Sequence, residues 1–337
     1  MNTLRELLSS LHGRSRVLLA LLLLGLLAVP WFLNAYLLTL AIMILYLAYT
    51  GQAWNVMMGF CGQLSLGHAL FVGLGAYTAA ALLFHFQIQP WAGLWVAIGV
   101  CVLAAAIVGA LAFRFGISGV YFALLTIAFA EFTRIGFENF QWVGATGGLF
   151  LKVGQREHID LLSLRGPPIM FYYVILALAT FAFVFSGWLL RSRVGYYWQA
   201  IRENEDAAQA LGINTFLWKM AAITVSAAMT GVAGVFYAFY YNNLFPDQVF
   251  HISSSIEIIL APIIGGLGTL FGPIFGAAVI TVLGEGITNL VGALGFDIPG
   301  VKQVFYGVAL MIVILFLPDG IWPPLARRLK LGPRSGQ

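Results

Sequence analysis

Apolar residues run along this chain in ten blocks long enough to cross a bilayer, each closed by a short polar or glycine-rich interruption. At about 20 residues per spanning helix, the blocks Val17–Leu33, Ala35–Met57, Leu64–Phe84, Trp91–Phe113 and Ile117–Phe140 read as transmembrane helices, and so do Ile169–Leu190, Leu217–Tyr241, Ile252–Gly272, Pro273–Leu294 and Ile298–Leu317. Two regions are interrupted from within, at Gly62–Gly75 and at Gly265–Gly276, the second flanked by Pro262 and Pro273. They predict broken or partly re-entrant helices, which a membrane tolerates only where the backbone lines protein or water. One break falls early and one late, the kind of correspondence an inverted repeat leaves. The predicted fold class is an all-α integral membrane protein of about ten transmembrane helices. Residues 1–34 form an N-terminus and first span, 35–318 a helical domain and 319–337 a C-terminal tail.

Composition agrees. The 337 residues are 61% hydrophobic and 9% charged, with a mean hydropathy of +0.93, which leaves no room for a large catalytic or ATP-binding domain. No Gly-x-x-x-x-Gly-Lys-Ser/Thr loop is present, and no nucleophile stands beside a base, so neither ATP hydrolysis nor another enzymatic activity is expected of this chain. Cys61 and Cys101 lie in apolar surroundings and the five histidines have no ligand spacing, so no disulfide, metal or cofactor is expected. The net charge of +4 is modest, usual for a membrane protein with basic cytoplasmic loops, and does not imply nucleic acid; the hydropathy makes membrane lipid the contacting phase.

The basic start (Arg5, Arg14, Arg16) before Val17–Leu33 has the outline of a signal peptide, but Pro30, Trp31 and Phe32 stand where a cleavage site needs small residues. A retained first span is expected. With the N-terminus inside, Arg5, Arg14, Arg16, Arg114, Arg191, Arg193, Arg202, Lys219, Arg327, Arg328, Lys330 and Arg334 face the cytoplasm, against Lys152, Arg156 and Arg165 outside. That bias places both termini in the cytoplasm. The two long polar interruptions then separate, Gln141–Pro168 outside and Arg191–Lys219 inside.

In the inner loop, Ala200–Ile213 carries strong helix formers ending at Gly212, which reads as a short amphipathic surface helix or as a solvated connector. In the Gly62–Tyr77 region, Gln63, Ser65 and His68 place polar groups among apolar neighbours. They either satisfy one another in tight helix packing or line a pathway in which a broken helix offers backbone groups to a zwitterion. Glu131, Arg134 and Glu138 share one helical face, so Arg134 reaches both carboxylates, as a structural ion pair or as part of an outer gate. Glu257 and Glu285 are isolated intramembrane carboxylates, functional suspects for which structural pairing is the expected reading.

The spacing Asp206-Ala207-Ala208-x-x-x-Gly212 resembles the Glu-Ala-Ala-x-x-x-Gly signature of ABC importer permeases, with Asp in place of Glu. The wider stretch from Arg191-Ser-Arg-Val-Gly195 to Gly212-Ile-Asn214 is similar to the cytoplasmic loop of the branched-chain amino acid permease family, LivM type. So are Gly62-Gln-Leu-Ser-Leu-Gly-His-Ala69 with Gly73-Leu-Gly-Ala-Tyr77, Gly119-Val-Tyr121-Phe-Ala with Ala130-Glu131, and Gly265-Gly-Leu-Gly-Thr-Leu-Phe-Gly-Pro273. The resemblance runs from about Asn55 to Pro318. It implies a multi-pass permease subunit of an ATP-dependent importer in the bacterial inner membrane, moving branched-chain amino acids or, as related permeases do, urea or short amides. It also implies a second homologous permease, two cytoplasmic ATPases and a periplasmic substrate-binding protein as partners. ATPase coupling would then fall to Arg202, Glu203, Glu205, Asp206, Ala207, Ala208 and Gly212, and the pathway to Gln63, Ser65, His68, Tyr121 and Glu131. The alternative from another class is a stand-alone secondary transporter or channel, which leaves the docking signature without a purpose. A membrane enzyme has no site to support it.

Overall fold

The computed structural model describes residues 25–151, 160–294 and 300–328. Residues 17–24 of the first predicted span lie outside these residues, as do Arg5, Arg14, Arg16, Lys152, Arg156, Lys330 and Arg334. Among the described residues eight helices are long and apolar enough to cross a membrane, and the chain is a multi-pass, all-α membrane protein. In chain order the helices are α1 (Ala35–Asn55), α2 (Ala69–Phe86), α3 (Pro90–Arg114), α4 (Gly119–Asn139) and α5 (Pro168–Arg191). Two short helices follow, α6 (Arg193–Glu203) and α7 (Glu205–Ala210), and then α8 (Thr215–Tyr241) and a single turn, α9 (Pro246–Val249). The last are α10 (Ile252–Gly265), α11 (Gly272–Ala293), the shorter apolar α12 (Val301–Phe316) and α13 (Trp322–Arg328). The only sheet among the described residues is a two-residue antiparallel ladder of β1 (Leu149–Phe150) on β2 (Asn243–Leu244), with Leu149 opposite Leu244.

The helices start where the sequence can satisfy their free amides. Asn34 accepts from the Leu37 amide at 2.8 Å and Asn214 from the Leu217 amide at 3.1 Å, while Pro90 and Pro168 occupy first turns, where a missing N–H costs nothing. Observed boundaries follow the apolar blocks except at the two glycine-rich regions. Continuing from α1, Val56–Phe60 loosens into a π turn, and Gly62 takes φ +75°, a left-handed conformation that ends the helix, so regular structure resumes only at Ala69. Likewise α10 stops at Gly265 rather than running to Gly272.

Both breaks turn at the same end of the helix array, because the Asn55 side chain clasps the second one: its Nδ2 donates to the Thr269 carbonyl and its Oδ1 accepts from the Gly268 amide, each at 2.9 Å. The pair α1/α2 and the pair α10/α11 therefore run in the same sense. An inverted repeat would have put the second break at the opposite end, so for these hairpins that expectation is corrected.

The centre of the array is α8, which packs on α2 and α3; α1 lies against α5 and α11, and α10 against α11. The α2–α8 approach is close enough to need glycine, since a Cβ on Gly234 would stand 2.1 Å from the Val72 carbonyl oxygen. The first residues of the expected tail dock on the second break: the Ile321 amide donates to the Ile264 carbonyl at 2.9 Å, and Trp322 stacks on Phe271 and Phe275.

Candidate functional site

The glycine-rich breaks, the loop between α5 and α8 and the start of α13 gather at one end of the molecule; the loop after α4, β1–β2 and α9 gather at the other. At the first end, α6 begins where Ser192 accepts from the Gly195 amide. A single helix over Ala200–Ile213 was expected, but the chain breaks at Asn204, whose extended backbone (φ −160°, ψ 109°) ends α6 and whose side chain accepts from the Ala207 amide at 2.9 Å to start α7. Glu205 and Asp206 then occupy the first turn, where acids are favoured. Gly212, at φ +86°, turns the chain back toward α8.

The sequence-predicted coupling residues divide into two sets. Ala208 is 2% exposed and packs into the hydrophobic core, so it is a contact within this chain and no partner can touch it. Arg202, 36% exposed on its side chain, and the half-buried Glu205 also bond within this chain. Arg202 Nη1 donates to the Gly59 carbonyl oxygen at 2.6 Å while Nη2 reaches Glu203 at 2.9 Å, and the Arg202 stem lies against Gly62. Glu205 binds the Nζ of Lys219, a lysine only 4% exposed that also sits 4.9 Å from the centre of the Phe113 ring. Glu203, Asp206, Ala207 and Gly212 are exposed. Beside them stands Leu211, 83% exposed, which sequence reasoning passed over although an exposed leucine next to a helix-ending glycine is a readable signal.

Ser65 and His68 are buried at the first break. Ser226 spends its proton on the Ala53 carbonyl, 2.8 Å away, so it accepts from His68 Nε2–H at 2.8 Å, and His68 Nδ1 is left to accept from the Ser65 hydroxyl at 3.0 Å. The Ser65 carbonyl accepts from Trp54 Nε1 at 2.8 Å. This chain uses all the hydrogen-bonding capacity of the ring, leaving none for a solute, and it ties α1, the break and α8 together. Gln63 donates to the Cys61 carbonyl at 3.3 Å. Tyr121 and Glu131 are elsewhere, on the exposed side of α4: Tyr121 is 76% exposed, and Glu131 pairs with Arg134 (Nε to Oε2, 3.0 Å), which also binds Glu138 and stands 3.5 Å from Asp247 at the start of α9.

The intramembrane carboxylates differ from each other. Glu285 is paired with Lys302 at 3.1 Å, as expected. Glu257 has no ion-pair or hydrogen-bond partner among the described residues, which corrects the expected pairing; it faces a cleft between α1, α8 and α10 instead.

A family model described as "branched-chain amino acid transport system / permease component" matches residues 36–315. The chain is 28% identical to the high-affinity branched-chain amino acid transport system permease protein LivM of Salmonella typhimurium, over 95% of this chain and 77% of that one. It is also 28% identical to LivM of Escherichia coli, over 83% of this chain and 68% of that one. A shorter stretch, 39% of this chain, is 28% identical to the permease protein LivH of the Salmonella typhimurium system, covering 40% of it. No solved structure matches.

Proposed function

This chain belongs to the branched-chain amino acid transport system permease family, and from that membership we propose that it is one transmembrane subunit of an ATP-driven importer of branched-chain amino acids in a bacterial inner membrane. The family is one of transport permeases, and relatives named LivM and LivH support pairing with a second permease subunit. Two cytoplasmic ATPases and a periplasmic binding protein complete the assembly, with no cofactor on this chain. Urea or short amides are the alternative cargo. Among the described cations, Arg114, Arg191, Arg193, Arg202, Lys219, Arg327 and Arg328 cluster at the end that carries α6–α7, which supports a cytoplasmic position for that end.

The observation that carries the reading is the way α6–α7 is built into the membrane helices. The exposed edge formed by Glu203, Asp206, Ala207 and Leu211 is free to meet an ATPase, while Ala208 and the Glu205–Lys219 pair anchor its other side to α8. When the ATPases close, the edge moves with them. Arg202 carries the displacement to the Gly59 carbonyl at the π turn after α1, and the Asn55 clasp carries it on to the break between α10 and α11. A helix already broken at a glycine can change direction there without giving up further regular hydrogen bonds. Leu211→Glu tests this: the inserted, folded chain is expected to lose both ATPase association and leucine uptake. Retention of both would remove Leu211 from the coupling surface, and uptake by a chain with which no ATPase associates would favour a stand-alone secondary transporter.

A further inference from the structure

A small open cleft of about 90 Å³ lies between α1, α8 and α10 in the half of the molecule away from α6–α7. Tyr46, Tyr237, Tyr240, Tyr241, Ser254 and Glu257 line it. Glu257 is five residues into α10, about 8 Å along the helix axis from its start, where an unpaired carboxylate is costly and marks a functional position. The nearest intramembrane cation on an adjoining helix, Lys302, is already held by Glu285.

The tyrosines around the cleft, three of them half-buried and Tyr241 exposed, differ from the buried tyrosines Tyr49 and Tyr77. Tyr49 donates to the Met229 carbonyl at 2.8 Å and Tyr77 to the Leu244 carbonyl at 2.9 Å. By contrast, among the described residues none of the hydroxyls of Tyr46, Tyr237, Tyr240 and Tyr241 is hydrogen-bonded. A lone carboxylate, aromatic faces and free phenolic oxygens together make the chemistry that recognises an ammonium ion: charge pairing, cation–π attraction and hydrogen-bond acceptance. The rest of the wall is apolar, with Ile42, Val72 and Ile258 among it, and suits a branched aliphatic tail. Among the described residues no Lys or Arg lines the cleft, so a carboxylate there would find hydroxyl and amide donors but no opposite charge, and would face Glu257.

We propose that this cleft is an outward-facing site for the protonated amine and aliphatic side chain of the transported solute, with Glu257 as the counter-ion. Resting on the importer reading above, it names the group of the cargo that this chain recognises, with the cargo's carboxylate left toward the mouth.

The test is equilibrium binding to the full chain purified with its companion subunits in detergent, using 3-methylbutylammonium and, separately, 4-methylpentanoate as probes. The amine is expected to bind about tenfold or more tightly than the carboxylate. Glu257→Gln is expected to remove that preference, and Tyr241→Phe, which keeps the ring but not the hydroxyl, to weaken the amine by about threefold. Equal binding of the two probes by the unmodified protein, or undiminished amine binding by Glu257→Gln, would overturn the proposal. If Glu257→Gln fails to fold, the comparison of probes on the unmodified protein still decides. The assay needs no ATP and no uptake, so failure of the importer reading would appear separately, as amine binding by a protein that neither copurifies with an ATPase nor imports leucine.

Discussion

The guanidinium of Arg202 donates to the carbonyl oxygen of Gly59 at 2.6 Å, joining a loop at the membrane surface to the point where α1 loses its regular hydrogen bonds. A charged donor on a partly exposed carbonyl is a modest stabiliser, worth about 1.5–3 kcal/mol when well formed. Its position gives it a larger consequence than its energy, because it is a direct polar contact from the loop to the first break.

Arg202→Ala is therefore expected to leave the chain folded and associated with its ATPases while lowering leucine uptake by roughly tenfold, so that ATP is hydrolysed without proportionate transport. Arg202→Lys, which keeps one charged donor, is expected to recover part of the loss. Uptake and ATP hydrolysis measured in the same proteoliposomes check this; an equal fall in both would make Arg202 a stability residue only.

The Glu205–Lys219 pair is structural by the same reasoning from burial. Lys219 is 5% exposed on its side chain and Glu205 34%, so removing the carboxylate strands a buried ammonium. Glu205→Ala is expected to cost about 2–4 kcal/mol, seen as a lower Tm in detergent, and Glu205→Ala with Lys219→Met to recover most of it. A double variant no more stable than Glu205→Ala would show that the charge pair is not the relevant unit.

Sidedness has its own check. Cys61 and Cys101 are both 0% exposed and give little background. Single cysteines at Leu162 and Tyr196, 64% and 66% exposed, sit at opposite ends of the array. In intact cells an impermeant maleimide is expected to label the first, and the second only after permeabilisation; the reverse pattern would invert the topology and remove the ATPase from reach of α6–α7.

Much of this molecule is legible as a string. Long apolar blocks have one solution in a membrane, and the spans from Ala35 onward follow them to within a few residues outside the glycine-rich breaks. The site is less legible, for reasons that differ by residue. Asn204 was readable, since Asn followed by Glu205 and Asp206 is a helix start, but the helix formers on both sides masked it. Which of Ala207 and Ala208 faces inward depends on how α7 rests on α8, and the motif alone says nothing of that. Tyr237, Tyr240 and Tyr241 share one face by their spacing, yet Tyr46 and Glu257 join them only through tertiary packing.

The difference between those two alanines supplies the sharpest measurement. Ala208 is buried and Ala207 exposed on the same short helix. Ala208→Trp is expected to overpack the core and reduce the yield of folded chain, a loss of about 1–3 kcal/mol or more, whatever the function. Ala207→Trp is expected to leave folded yield and Tm unchanged while abolishing ATPase copurification and leucine uptake together. Intact ATPase copurification and uptake of leucine, isoleucine and valine in a folded Ala207→Trp chain would contradict the assignment of α6–α7 as the coupling element.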